Sequence, residues 1–263
     1  MAIIRGQKDV LDAEVVKFDQ RPLTQSVLIN SVPKGGTHLL RNILRMFVPV
    51  EQHYAADFIQ IPNLRQHMPA LDPASPKLVV GHLLFSDESW RATRHMRQLL
   101  LVRDPYDWVL ARARFMVSDA FDQPNIQHLK SGDFTAETII NMMIFGIHQK
   151  SPALIDIFTH NAAAWLGSGV HLVRYEDLAE AVGDLESLRA ETYFADLFAA
   201  AGVAKPEDWR ERVRIGSDRR LSRTARENIA VMDGLEFPKT LSDTHRRLVD
   251  FHAPGLRALF GYG

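Results

Sequence analysis

Lysine, two glycines and a threonine stand together at Lys34-Gly35-Gly36-Thr37, a combination suited to holding an anion. Glycine reaches the positive φ angles that a tight loop needs, Lys34 adds a mobile positive charge and Thr37 a hydroxyl. Such a loop holds an anion best where it opens a helix, because the first amides of a helix point outward at the positive end of its dipole. The flanking residues supply those elements. Val27 to Ile29 is a short apolar run typical of a buried strand, Pro33 and the glycines interrupt it, and Leu39, Leu40, Ile43, Leu44 and Phe47 recur at helical spacing. The stretch from Val27 to Phe47 therefore reads as strand, glycine-rich turn and helix, with Lys34 to His38 at the mouth.

The nucleoside-triphosphatase pattern G-x-x-x-x-G-K-[ST] places its lysine after the last glycine; here Lys34 precedes both. The dinucleotide fingerprint G-x-G-x-x-G is absent as well. An ordinary strand–turn–helix with a solvated lysine remains the alternative at this point.

Three further groups follow predicted strands. Lys77 to His82 is a strand that ends in Gly81-His82, and an imidazole with an ordinary pKa of about 6.5 suits general-base work at neutral pH. Gln98 to Arg103 is a second, more apolar strand, and Asp104-Pro105 then gives a cap and a first-turn proline for a helix to about Ser118. An arginine at such a junction is placed for a bidentate phosphate contact, or for pairing with Asp104 or Asp107. Val170 to Tyr175 is the next strand, followed by Glu176-Asp177.

Taken together and in this order, Pro33-Lys-Gly-Gly-Thr37, Arg103-Asp-Pro105 and Arg174-Tyr-Glu-Asp-Leu178 resemble the 5′-phosphosulfate loop, the 3′-phosphate motif and the Arg-Tyr-Glu-Asp-Leu segment of sulfotransferases, over about residues 26 to 178. The C-terminal Leu-Phe-Gly-Tyr262 looks like the end of many bacterial members. The resemblance implies 3′-phosphoadenosine 5′-phosphosulfate (PAPS) as donor, 3′,5′-adenosine bisphosphate (PAP) as product, no metal, and a small-molecule acceptor with a hydroxyl or amine. It implies Lys34 as the cation at the leaving oxygen and His82 as the base; His38, Glu51 and His53, which lie within or follow the first helix region, are the fallback bases. Gly35, Gly36, Thr37 and His38 would donate to the 5′-phosphate and sulfonate, Arg103 and position 111 would meet the 3′-phosphate, and Tyr175 would lie against adenine. Arg219 and Arg223, with Arg220 and Arg226, are the nearest counterpart of the family's C-terminal phosphate loop.

Several positions depart from the pattern. The family's usual serine is Gly35 here, Thr-Thr-Trp becomes Thr37-His38-Leu39, the serine eight residues after the arginine is Ala111, and the lysine two residues before the base is Val80. Arg112 or Arg114 is placed to compensate for Ala111. A magnesium-dependent kinase and a non-catalytic nucleotide-binding scaffold are the competing readings.

Strands alternating with helices imply βαβ units, and 263 residues suit one α/β domain. The expected fold is a single-domain α/β sulfotransferase fold, P-loop-like, with a parallel sheet of four to five strands flanked by helices and the ligand at the strands' carboxyl ends. Residues 1–24 read as an N-terminal arm, and 54–76 and 119–134 as loops lining the acceptor pocket. Residues 135–165 hold one or two helices broken near Ser151-Pro152, 185–213 are largely helical with a stop at Gly202, and a last helix runs from about Ser242 to Phe260. A formal net charge of -1 gives no basic field for nucleic acid. The absence of cysteine excludes disulfides and thiolate chemistry. No run of 18 apolar residues and no signal-peptide core at the N-terminus lead to the expectation of a cytoplasmic protein without membrane partners; the oligomeric state is left open.

Overall fold

The computed structural model describes residues 3–4, 9–54, 59–221 and 235–263. The first elements are β1 (Ile3–Ile4), α1 (Asp12–Val15), β2 (Val27–Ser31) and α2 (Thr37–Arg45). Then come β3 (Leu78–Gly81), α3 (Asp87–Thr93), β4 (Arg97–Val102), α4 (Pro105–Met116), β5 (Phe121–Asp122), α5 (Ala136–Phe145) and α6 (Leu154–Asn161). The remainder is β6 (His171–Arg174), α7 (Tyr175–Gly183), α8 (Leu188–Ala201), α9 (Trp209–Ser217), α10 (Asp243–His252) and α11 (Leu256–Leu259).

The principal sheet has four strands in the order β3-β2-β4-β6, all parallel. Every residue of β2 and β3 is buried, as strands covered on both faces must be, which is why they read as continuous apolar runs rather than alternating ones. From β2 the chain moves to β3 on one side and then to β4 on the other. The order therefore reverses between β2 and β4, and such a reversal opens a crevice at the strands' carboxyl ends. Beneath the sheet, Leu40, Ile43 and Leu44 of α2, Phe194 and Phe198 of α8 and Trp209 and Val213 of α9 share one buried cluster with Val27, Ile29, Leu99 and Leu101. Burial of such side chains contributes about 1.5–3 kcal/mol each, and it anchors α2, whose first turn carries the glycine-rich loop.

The chain divides into two compact units, one of residues 9–102 and 160–222 and the other of 1–8, 103–159 and 223–263. The first contains the parallel sheet. In the second, β1 pairs antiparallel with β5, and Trp108 of α4 packs edge-on against Phe158 of α6 at 5.2 Å.

Three sequence expectations changed in detail. The proline-containing stretch 54–76 includes an eleven-residue 3₁₀ helix, Ile61–Leu71, opened by Pro62. Part of 119–134 is likewise ordered, as β5 and the 3₁₀ segment Pro124–Lys130. The last helix is two, because Pro254 cannot continue the ladder and Gly255, at φ 74°, starts the second. Among the described residues no helix is long and apolar enough to cross a membrane.

Candidate functional site

The loop that leaves β2 is a tight turn. Gly35 N–H donates to Val32 O at 3.0 Å, with Pro33 and Lys34 as the central pair. Lys34 has φ 64°, a left-handed conformation that non-glycine residues adopt rarely and at a cost of about 1–2 kcal/mol. The Gly35 amide thus closes the turn. A Cβ at Gly35 would stand 2.9 Å from Val32 O and 3.0 Å from Val32 Cγ2, so the serine usual in the resembled motif does not fit this loop shape.

Gly36 follows at φ 98° as the N-cap of α2. A Cβ there would fall 2.2 Å from Cδ2 and 2.7 Å from Cε2 of Tyr175. Tyr175, the first residue of α7 and half-buried, therefore lays its ring over the backbone of the loop. Leu39 N–H already returns to Gly36 O at 3.0 Å. The amides of Thr37 and His38 precede the helical ladder at the positive end of α2. The helix carries no acidic residue in its first turn, which leaves the positive end of its dipole uncompensated on the helix itself.

His82 follows β3 and is joined to this loop through Ser31, the last residue of β2. Its Nδ1 lies 2.8 Å from Ser31 O and 3.1 Å from Ser31 Oγ, and Ser31 Oγ lies 2.7 Å from Thr37 Oγ1. A carbonyl only accepts, so the bond to Ser31 O assigns the proton to Nδ1 and leaves the lone pair on Nε2. Burial lowers the His82 pKa to about 4, the positive charges of His38 and Lys34 add to the fall, and the Ser31 carbonyl opposes it. The imidazole is neutral at pH 7. Beside it, Asn30 donates to Leu83 O at 3.2 Å and accepts from Leu83 N–H at 2.8 Å, which fixes the path of the chain just past His82.

The sequence showed Asn30 and Ser31 but gave them no role. They are two polar residues closing an apolar strand, 1% and 0% exposed. A buried polar side chain must find a partner, and that requirement was the available signal.

The other candidate bases are placed differently. His53 uses both ring nitrogens, Nδ1 to Asp12 Oδ1 at 3.1 Å and Nε2 to Val48 O at 2.8 Å. That bond and the guanidinium of Arg45, 2.7 Å from Asp12, hold the Asp12 carboxyl well below its usual range. Glu51 is exposed on the 3₁₀ turn Val50–Gln52. His38 is half-buried on the first turn of α2.

In the second unit, Arg103 is half-buried and is followed by Asp104, the N-cap of α4, whose carboxylate accepts from Tyr106 N–H at 2.9 Å. Arg257 grips the same carboxylate with Nε at 3.0 Å and Nη2 at 2.8 Å. Its guanidinium lies 4.0 Å from the centre of the Tyr106 ring and donates to Gly263 O at 3.1 Å. Asp107, Ala111 and Arg114 follow one another at i, i+4 and i+7 on α4 and share a face.

Of the two arginines expected to offset Ala111, Arg112 is built into the interior. It donates to Ser151 Oγ at 2.6 Å and Pro152 O at 3.0 Å, and burial lowers its pKa to about 10. Arg114 donates to Pro238 O at 2.6 Å, and its pKa is lowered by burial and by the charge of Arg103. Arg219 is exposed on the 3₁₀ turn Arg219–Leu221, and Arg220 pairs with Asp218 at 2.6 Å; Arg223 and Arg226 lie outside the described residues. Val80, where the family has lysine, is buried in β3. Among the described residues there is no group of three or more His, Asp and Glu side chains placed to hold a metal ion.

No protein-family model matches the chain, and no curated protein sequence matches it. Among solved structures, the chain is similar to mouse sulfotransferase SULT7A1 complexed with PAP, at 12% identity and a TM-score of 0.60, over 97% of this chain and 93% of that one. At that identity the likeness concerns the fold: the α/β arrangement with a parallel four-stranded sheet flanked by helices is that of the sulfotransferase.

Proposed function

We propose that this chain is a sulfotransferase that moves the sulfuryl group of PAPS to a hydroxyl or amine of a small-molecule acceptor. The observation that carries this reading is the single hydrogen-bonded group formed at the carboxyl end of β2: a lysine loop, the N-terminus of α2, and a neutral histidine with its lone pair on Nε2. These are the parts that in-line transfer between oxygens requires, since such reactions depend on positioning and on charge placed at the entering and leaving atoms.

The amides of Thr37 and His38 and the Thr37 hydroxyl hold the 5′-phosphate of the donor. Lys34 offsets the charge that grows on the bridging oxygen as its bond to sulfur breaks. His82 Nε2 takes the acceptor's proton as the new bond to sulfur forms. Arg103 is assigned to the 3′-phosphate. The Tyr175 ring shapes the loop from behind Gly36, and any contact with adenine is additional to that role. The donor supplies an activated sulfuryl group, so no metal is needed for the transfer.

Ala111 keeps a second reading in view, a nucleotide-binding protein without turnover, because a methyl group stands where the resembled motif has a hydroxyl. Calorimetric titration with PAP, run beside Arg103→Ala, tests the donor site. Micromolar or tighter binding that weakens at least tenfold in the variant supports the proposal. Absence of heat with the wild type overturns it, and binding without turnover across hydroxyl and amine acceptors selects the second reading.

A further inference from the structure

The hydroxyls of Thr37 and Ser31 and the imidazole of His82 form a chain of short polar contacts. With its proton on Nδ1, His82 is the donor at one end, and that one N–H is shared between Ser31 O at 2.8 Å and Ser31 Oγ. Ser31 Oγ, 3.1 Å away, has a lone pair for that N–H and a hydrogen for Thr37 Oγ1 at 2.7 Å. With Ser31 as the donor in that contact, the Thr37 hydrogen points away from the chain, where an anion can accept it. Ser31 is 0% exposed and Thr37 4% exposed, so water does not compete along this path and each bond polarises the next.

We propose that Ser31 is a positioning residue that relays the state of the Thr37 hydroxyl to the imidazole of His82. The roles of the two ends, anion holder and base, rest on the function proposed above; the relay itself rests on the three distances. When an anion accepts from Thr37, Thr37 Oγ1 becomes a better acceptor for Ser31. Ser31 Oγ then becomes a better acceptor for Nδ1–H, and Nε2 gains basicity. Occupancy of the loop would thus prepare the base for the acceptor's proton.

The test uses the protein without ligand. His38 on α2 and Lys34 in the loop are charged or titratable groups that act on His82. They act through space, and neither Ser31→Ala nor Thr37→Val removes their charge. The His82 titration is followed by NMR in wild type, Thr37→Val, Ser31→Ala and the double variant. Thr37→Val leaves the imidazole's own hydrogen bonds in place and removes only the polarisation of one of them, about 10–30% of its strength, which corresponds to about 0.1–0.2 pH unit. The expected result is a displacement of about that size on Thr37→Val when Ser31 is present, and none when Ala occupies position 31. An equal displacement in both backgrounds, or none in either, overturns the relay. Ser31→Cys, of similar shape and a much weaker hydrogen-bonding partner, stands in if Ser31→Ala does not fold. Because no nucleotide enters this cycle, its outcome is separate from that of the PAP titration.

Discussion

The loop after β2 and the turn after β4 each bring a cationic side chain to the first residue of a helix, but by different physics. The first is held by close approach and neutral hydrogen bonds. Gly35 closes on Val32 O, Gly36 accepts the ring of Tyr175 at a distance that no Cβ tolerates, and Ser31 ties Thr37 to His82. The second is held by charge. Asp104 caps α4 while Arg257, 153 residues later, takes both carboxylate oxygens and the backbone of Gly263. A packed loop is sensitive to added atoms, whereas a charge-held turn is sensitive to lost donors and to their geometry.

The sharpest way to break that contrast is to add one carbon to the loop. Gly36→Ala places a methyl group inside the Tyr175 ring at a residue with φ 98°. Left-handed backbone and overpacking together are expected to cost about 3 kcal/mol, read as a lower urea midpoint at unchanged slope. Tyr175→Ala in the same chain should remove the overlap and leave the backbone part, so the double-mutant cycle should return a coupling of about 1–2 kcal/mol. Additive losses would show that the ring does not press on the loop.

The second way removes a donor from the turn. Arg257→Ala leaves the buried side of Asp104 without its two charge-assisted bonds, an expected loss of about 2 kcal/mol. Arg257→Lys keeps the charge but not the planar fork, and about half of the loss should remain. Full stability in the lysine variant would mean that charge alone, not the bidentate grip, holds the turn.

The two regions were also unequally legible. Lys34-Gly35-Gly36-Thr37 and Arg103-Asp104-Pro105 stood out because their chemistry lies in contiguous residues between a strand and a helix, and the parallel sheet followed from the apolar runs on either side. Arg257 did not, since nothing in Leu256-Arg-Ala-Leu259 indicates a partner 153 positions earlier. Ser31 lay within the stretch read most closely, and a polar residue closing an apolar run signals that a partner is needed, but only β3 shows that the partner is His82. Arg112 and Arg114, two positions apart on one helix, have opposite surroundings that only packing decides. Pro254-Gly255 carried a break signal of its own, which the reading of one helix from Ser242 to Phe260 passed over.

The smallest effect concerns pH and sharpens the comparison from the loop's side. A neutral packed site that shelters a histidine resists protonation: His82 falls from its ordinary 6.5 to about 4 through burial first and the cations Lys34 and His38 second. The unfolded chain therefore binds the proton at higher pH than the folded one. The stability contributed by the neutral ring is complete above about 6.5, declines as pH falls toward 4, and changes no further below that. His82→Gln should flatten this part of the urea-midpoint profile relative to wild type, while shifts from Asp9 and Asp12 are common to both proteins and cancel. In the charge-held turn, Arg257→Ala should leave the same slope unchanged. Parallel profiles for wild type and His82→Gln would mean that the ring takes up its proton in the folded loop as readily as in water, and the loop could not then present His82 as a neutral base by burial.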